Sequence, residues 1–313
     1  MPGYSGEVGH AMTELLLHSG FVALLGRSNV GKSTLLNQMM GTKLSIVSEK
    51  PQTTRNRIPC ILTWEEGQAV FLDTPGVHTP QNSLGERMNQ YAWASLAEVE
   101  LILFLTTADS RLPGAGDQRI VEQLKSIPAP IYLIINKIDL AEEETVTSLQ
   151  DAFFSKLPWA GIFRVSALTG EGVAELKESI CQELPPGPQY YPSDIVIDQP
   201  ERFLVAEIIR EKVLQLTRDE VPHGIAVDVE KLEEPGEKGL VKIQATIYTD
   251  RESPKGIIIG SKGAKLKEIG SLARQELELL FGCQVFLELW VKVRPRWRNN
   301  QQALNSFGYA RVK

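Results

Sequence analysis

Residues 26–33 carry Gly-Arg-Ser-Asn-Val-Gly-Lys-Ser, which fits the pattern Gly-x-x-x-x-Gly-Lys-Ser/Thr. An apolar run at 21–25 precedes this stretch and helical spacing at 33–40 follows it, the strand–loop–helix context that a phosphate-binding loop (P-loop) requires. Glycines let the loop turn its backbone N–H groups inward, and the helix N-terminus adds partial positive charge. Lys32 is predicted to reach the terminal phosphates, and the Ser33 hydroxyl to bind Mg²⁺. The chain is therefore predicted to bind a nucleoside triphosphate; a chance glycine turn is the alternative.

Strand-like and helix-like stretches alternate over roughly the first 180 residues, the pattern of a parallel sheet with helices on both faces. Predicted strands are 21–25, 58–63, 69–72, 101–106, 131–135 and 161–165. Predicted helices are 33–40, 84–97, 116–126, 143–155 and 173–183. Because the motif-bearing loops follow the strands, they are expected at the carboxyl edge where open α/β sheets bind ligands.

Two motifs that follow predicted strands are predicted to bind the metal ion and the base of the nucleotide. Asp-Thr-Pro-Gly at 73–76 is predicted to hold Mg²⁺ through Asp73 and the γ-phosphate through the Gly76 N–H. Asn-Lys-Ile-Asp at 136–139 favours guanine, because the Asp139 carboxylate would accept from N1–H and the 2-amino group. Adenine lacks these donors and would leave the carboxylate unpaired.

The rest of the base site is expected around the same loop. Asn136 is predicted either to face guanine N7 or to brace the loop, and the Lys137 stem to stack on the base. The backbone N–H of Ala167 is predicted to donate to guanine O6. The predicted nucleotide-binding residues are Gly26, Arg27, Ser28, Asn29, Val30, Gly31, Lys32, Ser33, Thr34, Asp73, Thr74, Pro75, Gly76, Asn136, Lys137, Asp139, Ser166, Ala167 and Leu168.

A mobile loop at 51–57, Pro-Gln-Thr-Thr-Arg-Asn-Arg, is predicted to supply a second hydroxyl to Mg²⁺. Thr54 is preferred because it directly precedes Arg55, and Thr53 is the alternative. Val77 stands where Ras-like enzymes place the Gln that orients water, so unaided turnover is predicted at or below about 10⁻³ to 10⁻² per second. Arg55 and Arg57 are arginine-finger candidates, although such arginines are more often solvated. The predicted catalytic residues are Lys32, Thr54 and Gly76, and the predicted Mg²⁺ ligands are Ser33, Thr54 and Asp73.

A proline-rich stretch at 184–192, Leu-Pro-Pro-Gly-Pro-Gln-Tyr-Tyr-Pro, can be neither helix nor central strand and indicates a linker. A smaller α+β domain is predicted after it. Its predicted elements are a helix at 200–216, strands at 225–230 and 240–248 joined by a turn at 234–236, a helix at 266–281 and a strand at 284–293.

Gly-Ser-Lys-Gly at 260–263 follows a short apolar segment and precedes a helix, the setting in which K-homology (KH) domains clamp about four nucleotides of single-stranded RNA. Residues 255–313 hold eleven Lys/Arg against four Asp/Glu, a balance of +7 in a chain of net charge −6. Such a basic end favours a polyanionic partner, solvated surface charge being the alternative. The tail at 292–298 mixes cations with Trp297, which suits phosphate contact and base stacking, with a solvated strand end as the alternative. The predicted RNA-binding residues are Gly260, Ser261, Lys262, Gly263, Lys265, Arg294, Arg296, Trp297 and Arg298.

Composition excludes several other classes of protein. Cys60, Cys181 and Cys283 are far apart with no metal-ligand or pairing pattern, which indicates a reducing compartment. No apolar run approaches the roughly 18 residues of a membrane span. Residues 1–20 contain two Glu and no Lys or Arg, which argues against a secretory signal, and a local helix is predicted at 11–18.

In combination, these motifs resemble the bacterial Era GTPases, of the TrmE-Era-Der-like class. The resemblance runs from about residue 21 to the C-terminus and departs from the family in the P-loop, where Ser28 replaces a common Pro. The motifs that carry it lie at 26–34, 52–55, 73–76, 136–139, 166–168 and 258–263. It implies an α/β P-loop GTPase domain at 21–183 with a mostly parallel sheet and helices on both faces, a linker at 184–199 and an α+β type II KH domain at 200–313. Residues 1–20 are an N-terminal extension beyond the family's usual start, so the resemblance implies no structure or function for them.

The resemblance also implies GTP/GDP and Mg²⁺ as cofactors. Its expected partners are the 3′ region of 16S rRNA and the 30S ribosomal subunit, whose maturation the protein would assist. The implied location is cytoplasmic, with peripheral association at the inner face of the membrane in some members, and we expect a monomer. Asn29 occupies a position that helps hold K⁺ in related potassium-activated GTPases. A ribosome- or membrane-associated scaffold with vestigial hydrolysis is the alternative, and an ATP-dependent kinase is disfavoured by 136–139.

Overall fold

The computed structural model of the chain describes residues 17–48, 50, 52–217, 221, 224–233 and 239–309. Most of the predicted helix at 11–18 and the predicted turn at 234–236 lie outside these ranges. His18, which the prediction placed in that helix, instead begins the first strand. This strand therefore begins three residues before the expected domain boundary at residue 21.

The first sheet is six-stranded with the order β2-β3-β1-β4-β5-β6. All neighbours pair in parallel except β2, which runs antiparallel to β3 at one edge. Each predicted strand is present with slightly different ends. The strands are β1 (His18–Gly26), β2 (Ile58–Trp64), β3 (Gly67–Asp73), β4 (Leu101–Thr107), β5 (Ile131–Asn136) and β6 (Gly161–Arg164).

Five helices cover both faces of this sheet, as the alternating pattern predicted. Leu35 and Leu176, from the first and fifth of them, pack on one face. Ala92, Ile120 and Phe153, from the other three, pack on the opposite face. Because both faces are covered, the central strands β4 and β5 are buried along their whole length. The helices are α1 (Lys32–Met40), α2 (Ser83–Ala94), α3 (Ala115–Leu124), α4 (Glu143–Phe154) and α5 (Val173–Glu183).

The segment 184–199, which follows α5, lies along the first domain. The N–H of Ser19 donates to the carbonyl of Pro185 at 2.9 Å, and the N–H of Ile61 donates to that of Val196 at 2.9 Å. The segment thereby contacts β1 and covers the edge of β2, which would otherwise present unpaired backbone groups.

The second domain contains every predicted helix and strand plus a helix before the Gly-Ser-Lys-Gly loop, which gives the order helix–strand–strand–helix–helix–strand. Its three-stranded sheet has the order β7-β8-β9, with β7 antiparallel and β9 parallel to β8. The short apolar segment predicted before the Gly-Ser-Lys-Gly loop is the end of a helix. None of the described helices is long and apolar enough to cross a bilayer. The elements are α6 (Glu201–Leu216), β7 (Ile225–Glu233), β8 (Leu240–Thr249), α7 (Glu252–Ile259), α8 (Ala264–Phe281), β9 (Gln284–Val293) and α9 (Gln301–Ser306).

The two domains share a small apolar cluster built around Trp297. Leu84 and Met88 of α2 meet Trp297 and Leu304 from the C-terminal segment, and all four side chains are buried. Arg87, on the same helix, donates to Asn305 at 2.8 Å and to the carbonyl of Tyr309. The C-terminal segment is therefore packed against the first domain.

Candidate nucleotide and RNA sites

The P-loop joins β1 to α1, and its lysine donates hydrogen bonds to carbonyls at the start of the same loop. Gly31, at φ 98°, caps α1, and a Cβ there would lie 2.3 Å from the Nδ2 of Asn136. Lys32 donates from Nζ to the carbonyls of Gly26 at 3.2 Å and Arg27 at 3.0 Å. Burial lowers the pKa of Lys32 to about 8, against the opposing charge of Asp73. A glycine is required at position 31 because neither this backbone conformation nor the space accommodates a side chain.

Three side-chain oxygens meet beside the P-loop. The Ser33 hydroxyl donates to Asp73 Oδ2 at 2.8 Å and lies 2.9 Å from the Thr54 hydroxyl, which is 3.3 Å from the same Asp73 oxygen. Burial raises the pKa of Asp73, opposed by the Ser33 hydrogen bond and by Lys32. Two oxygens held side by side in an octahedron at 2.0–2.1 Å are about 2.9 Å apart, so this hard-oxygen set fits Mg²⁺. Asp73 Oδ1 has no hydrogen-bond partner among the described residues, which leaves it available to a metal-bound water.

The structure favours Thr54 over Thr53 as the loop hydroxyl. Thr53 Oγ1 donates to the carbonyl of Lys50 at 2.7 Å and so points back into its own loop. The Thr54 side chain is buried and faces Ser33 and Asp73. The order of the two threonines in the sequence could not settle this choice.

Gly76 and Val77 pass directly over the P-loop. A Cβ on Gly76 would lie 2.5 Å from the Cα of Ser28, and the N–H of Val77 donates to the carbonyl of Gly26 at 3.0 Å. Glycine at 76 is therefore required for this close approach. Val77 is partly buried against the apolar core under β4, and its side chain has no polar group that could orient a water.

Asn136 braces the base side of the site. Its Nδ2 donates to the carbonyl of Val30 at 2.8 Å, and its Oδ1 accepts from the N–H of Ala167 at 2.9 Å. Of its two predicted roles, the structure therefore supports bracing of the loop. The Ala167 N–H, which was predicted to donate to guanine O6, is held by Asn136 in this structure, and its contact with the base stays a prediction. Asp139 lies in the short turn Ile138–Leu140 and is exposed.

Asp117 of α3 is a site residue that no motif indicated. It accepts from Arg27 Nε at 2.8 Å and from the Thr106 hydroxyl at 3.2 Å, and so holds the second residue of the P-loop. Burial raises the pKa of Asp117, and the guanidinium of Arg27 opposes that shift. The contact joins residues that are 90 positions apart, so nothing local in the sequence could reveal it.

The Gly-Ser-Lys-Gly loop connects α7 to α8. Gly260 and Gly263 have φ values of 70° and 78°, and Lys262, at φ 49°, is exposed at the tip. A Cβ on Gly260 would lie 2.8 Å from the Cβ of Lys265, whereas a Cβ on Gly263 would meet nothing within 4 Å. Two glycines, two cations and the N-terminus of α8 thus converge on one exposed turn, a setting that suits phosphate groups.

The basic tail is only partly available for RNA. The prediction that Trp297 stacks on a base is wrong for this structure: its side chain is 0% exposed, and its Nε1 donates to the carbonyl of Gly224 at 2.9 Å. Arg298 pairs with Asp250 at 2.5 Å, and Arg294 lies over the ring of Phe307. Arg296 is the tail arginine of the predicted set that is exposed.

Fold and site together define a P-loop GTPase joined to a KH domain. Residues 21–137 match the family model described as 50S ribosome-binding GTPase, and residues 220–298 match that of the KH domain. GTPase Era of Alkaliphilus metalliredigens is 50% identical over 93% of this chain and 98% of its own length. GTPase Era of Heliobacterium modesticaldum is 49% identical over 94% and 97%. The chain belongs to the Era family of GTPases.

Solved Era structures share both domains with this chain. Aquifex aeolicus Era bound to GDP·AlF4⁻ has a TM-score of 0.89 at 44% identity, covering 94% of this chain and 100% of that one. Era in complex with MgGDPNP and nucleotides 1506–1542 of 16S ribosomal RNA has a TM-score of 0.90 at 44% identity, covering 94% and 99%. The predicted fold class is therefore confirmed, and the protein is a GTPase with a KH domain that uses guanine nucleotide and Mg²⁺.

Proposed function

We propose that this protein is a GTP-switched RNA-binding factor that binds the 3′ region of 16S rRNA and assists maturation of the 30S subunit. The observation that carries the proposal is the approach of Thr54 to Ser33. Their hydroxyls lie 2.9 Å apart, although they belong to different loops. A loop that meets the P-loop at the magnesium ligands can be ordered by the triphosphate and released on hydrolysis.

Each part of the nucleotide site has a proposed role. Lys32 holds the terminal phosphates, Thr54 brings the loop at 51–57 to the metal site, and the Gly76 N–H bonds the γ-phosphate. Ser33 and Thr54 hold Mg²⁺, with Asp73 behind it, and the ion would neutralise charge on the phosphate oxygens. The close fit of Gly76 over Ser28 supports this arrangement, since it brings the Gly76 backbone to the phosphate-binding loop.

On the RNA side, Gly260–Gly263 is proposed to clamp the backbone of a single strand, with Lys262 and Lys265 adding charge. Arg296 extends this surface. Arg294 and Arg298 can bind RNA only after their contacts with Phe307 and Asp250 are broken. The Era complex with nucleotides 1506–1542 supports the choice of 16S rRNA. The domain limits proposed are 21–183 for the GTPase domain, with β1 extending it to His18, 184–199 for the linker and 200–313 for the KH domain. We place the protein in the cytoplasm as a monomer, with peripheral membrane association as a further proposal.

RNA is expected to accelerate GTP hydrolysis. Val77 offers no polar group to orient water at its position, so the basal rate should be at or below about 10⁻² per second. Single-turnover hydrolysis measured with and without a 16S 3′-end oligonucleotide tests this expectation. An equal rate in both would contradict RNA-responsive hydrolysis and favour a scaffold in which GTP binding alone matters.

Asn29 is proposed to help hold K⁺ between the phosphates. It is exposed in the P-loop at φ 65° and lines the same groove as Lys32 and Ser33. Turnover is expected to be several-fold higher in KCl than in NaCl at equal ionic strength, and Asn29→Ala should remove the difference. Equal turnover of the unaltered protein in the two salts would refute the potassium site.

A further inference from the structure

The loop between α1 and β2 (residues 41–57, the switch loop) is attached to the KH domain at its beginning. Lys43 Nζ contacts Glu211 Oε2 at 2.5 Å and Glu276 Oε1 at 2.6 Å, on α6 and α8 respectively. The N–H of Val47 donates to the other oxygen of Glu211 at 2.9 Å. The Ile46 side chain, 4% exposed, packs into the apolar core of the KH domain. The start of the switch loop is thus held against the second domain by ion pairs, a hydrogen bond and apolar packing.

The end of the switch loop is attached by two buried arginines. Arg210 of α6 donates from Nη2 to the carbonyl of Thr53 and from Nε to Glu207 at 2.8 Å. Arg55 donates from Nη1 to the carbonyl of Ile225 at 2.6 Å. Both arginines are 1% exposed, so Arg55, an arginine-finger candidate with solvation as the alternative, is part of the domain interface in this structure. These two contacts lie on either side of Thr54.

Thr54 is held in position through its neighbours. Its side chain faces Ser33 and Asp73, whereas the backbone just before it accepts from the KH domain. A charge-assisted hydrogen bond that is excluded from water is strong and directional, so the Thr53 carbonyl is fixed relative to α6. Since the Thr54 hydroxyl is only one residue away, its placement next to Ser33 depends on this contact.

We propose that Arg210, a residue of the KH domain, is a positioning residue for GTP hydrolysis: it holds the Thr53 carbonyl so that Thr54 meets the Mg²⁺ ligand Ser33. The proposal rests on the proposed role of Thr54. Under this proposal, the first domain alone would lack Arg210 and its hydrolytic site would be incomplete. The GTP-bound state depends on Arg210, and the GDP-bound state does not, because the loop is released on hydrolysis.

The test compares Arg210→Gln with a matched control in the full chain. The control is Arg202→Gln, on the same helix, because Arg202 is exposed and donates within the KH domain to the carbonyl of Val229 at 3.0 Å. A double variant, Glu207→Gln/Arg210→Gln, removes the carboxylate that the single change leaves buried and unpaired. Thermal unfolding establishes that all three variants fold.

Arg210→Gln and the double variant are expected to lower single-turnover hydrolysis by about 10- to 100-fold, since a misplacement of about 1 Å can have that effect. The Mg²⁺ concentration that half-saturates GDPNP binding should rise several-fold, while GDP affinity stays within about twofold. In the nucleotide-free protein, amide hydrogen exchange at 52–57 should become faster. Arg202→Gln should leave all these values unchanged.

An unchanged or increased hydrolysis rate in both Arg210 variants, with unchanged Mg²⁺ dependence, would overturn the positioning role. An equal loss of GDP and GDPNP affinity would overturn it as well, since that result would indicate general damage to the site. Thr54→Ala in the same assay separates the two levels of the proposal. If Thr54→Ala hydrolyses GTP normally, the role of Thr54 fails; if only the Arg210 variants do so, the positioning inference fails alone.

Discussion

Asp139→Asn is expected to lower the affinity for GTP on the order of 10³-fold, because a site built to pair with two donors loses its acceptor. The carboxylate is predicted to accept from guanine N1–H and the 2-amino group, and an amide would place an N–H group against one of them. Asp139 is exposed, whereas Asn136 behind it is 1% exposed and braces the loop. The change should therefore affect the base contact and leave the fold intact.

Direct titration of GTP by calorimetry measures this effect. Asp151→Asn is the matched control, because Asp151 is an exposed carboxylate on α4 of the same domain. The Asp139 variant should gain affinity for xanthosine nucleotides, which carry an acceptor where guanine carries the 2-amino group. Unchanged GTP affinity, or a gain for ATP in its place, would show that Asp139 does not read the base.

The double change Gly260→Asp/Gly263→Asp is expected to weaken RNA binding at least about 100-fold, while GTP binding stays intact. Two carboxylates would face the phosphates that the loop is proposed to clamp, which reverses the charge of the turn. At Gly260 the new Cβ would also lie 2.8 Å from the Cβ of Lys265. The nucleotide site lies in the other domain and shares no residue with this loop.

Gly282→Asp provides the control for charge and for backbone strain. Gly282 has φ 64°, a Cβ there meets nothing within 4 Å, and it caps the far end of α8. Eighteen helical residues separate it from the loop, a distance of about 27 Å. Binding of a 16S 3′-end oligonucleotide should survive in Gly282→Asp. RNA affinity that persists in the double variant would contradict the assignment of the loop.

Much of the fold and of the phosphate site could be predicted because the signals are local. The alternation of strands and helices follows from side-chain periodicity over ten or so residues. Gly31 and Gly76 belong to short motifs whose backbone conformation depends on a few neighbouring residues. The choice between Thr53 and Thr54 could not be made in this way, since it depends on which hydroxyl faces Asp73 across the site.

The sequence alone therefore determined the two domains and the chemistry of each, namely a phosphate loop with its guanine motif and a basic Gly-x-x-Gly turn. The tertiary structure decided which of the protein's groups are engaged with one another. It buried Trp297 against α2, engaged Ala167 with Asn136 and joined Arg210 to Thr53, 157 positions away. Burial and hydrogen bonding depend on which surfaces meet when the domains pack. Contacts over such separations leave no periodic or local pattern in a single sequence.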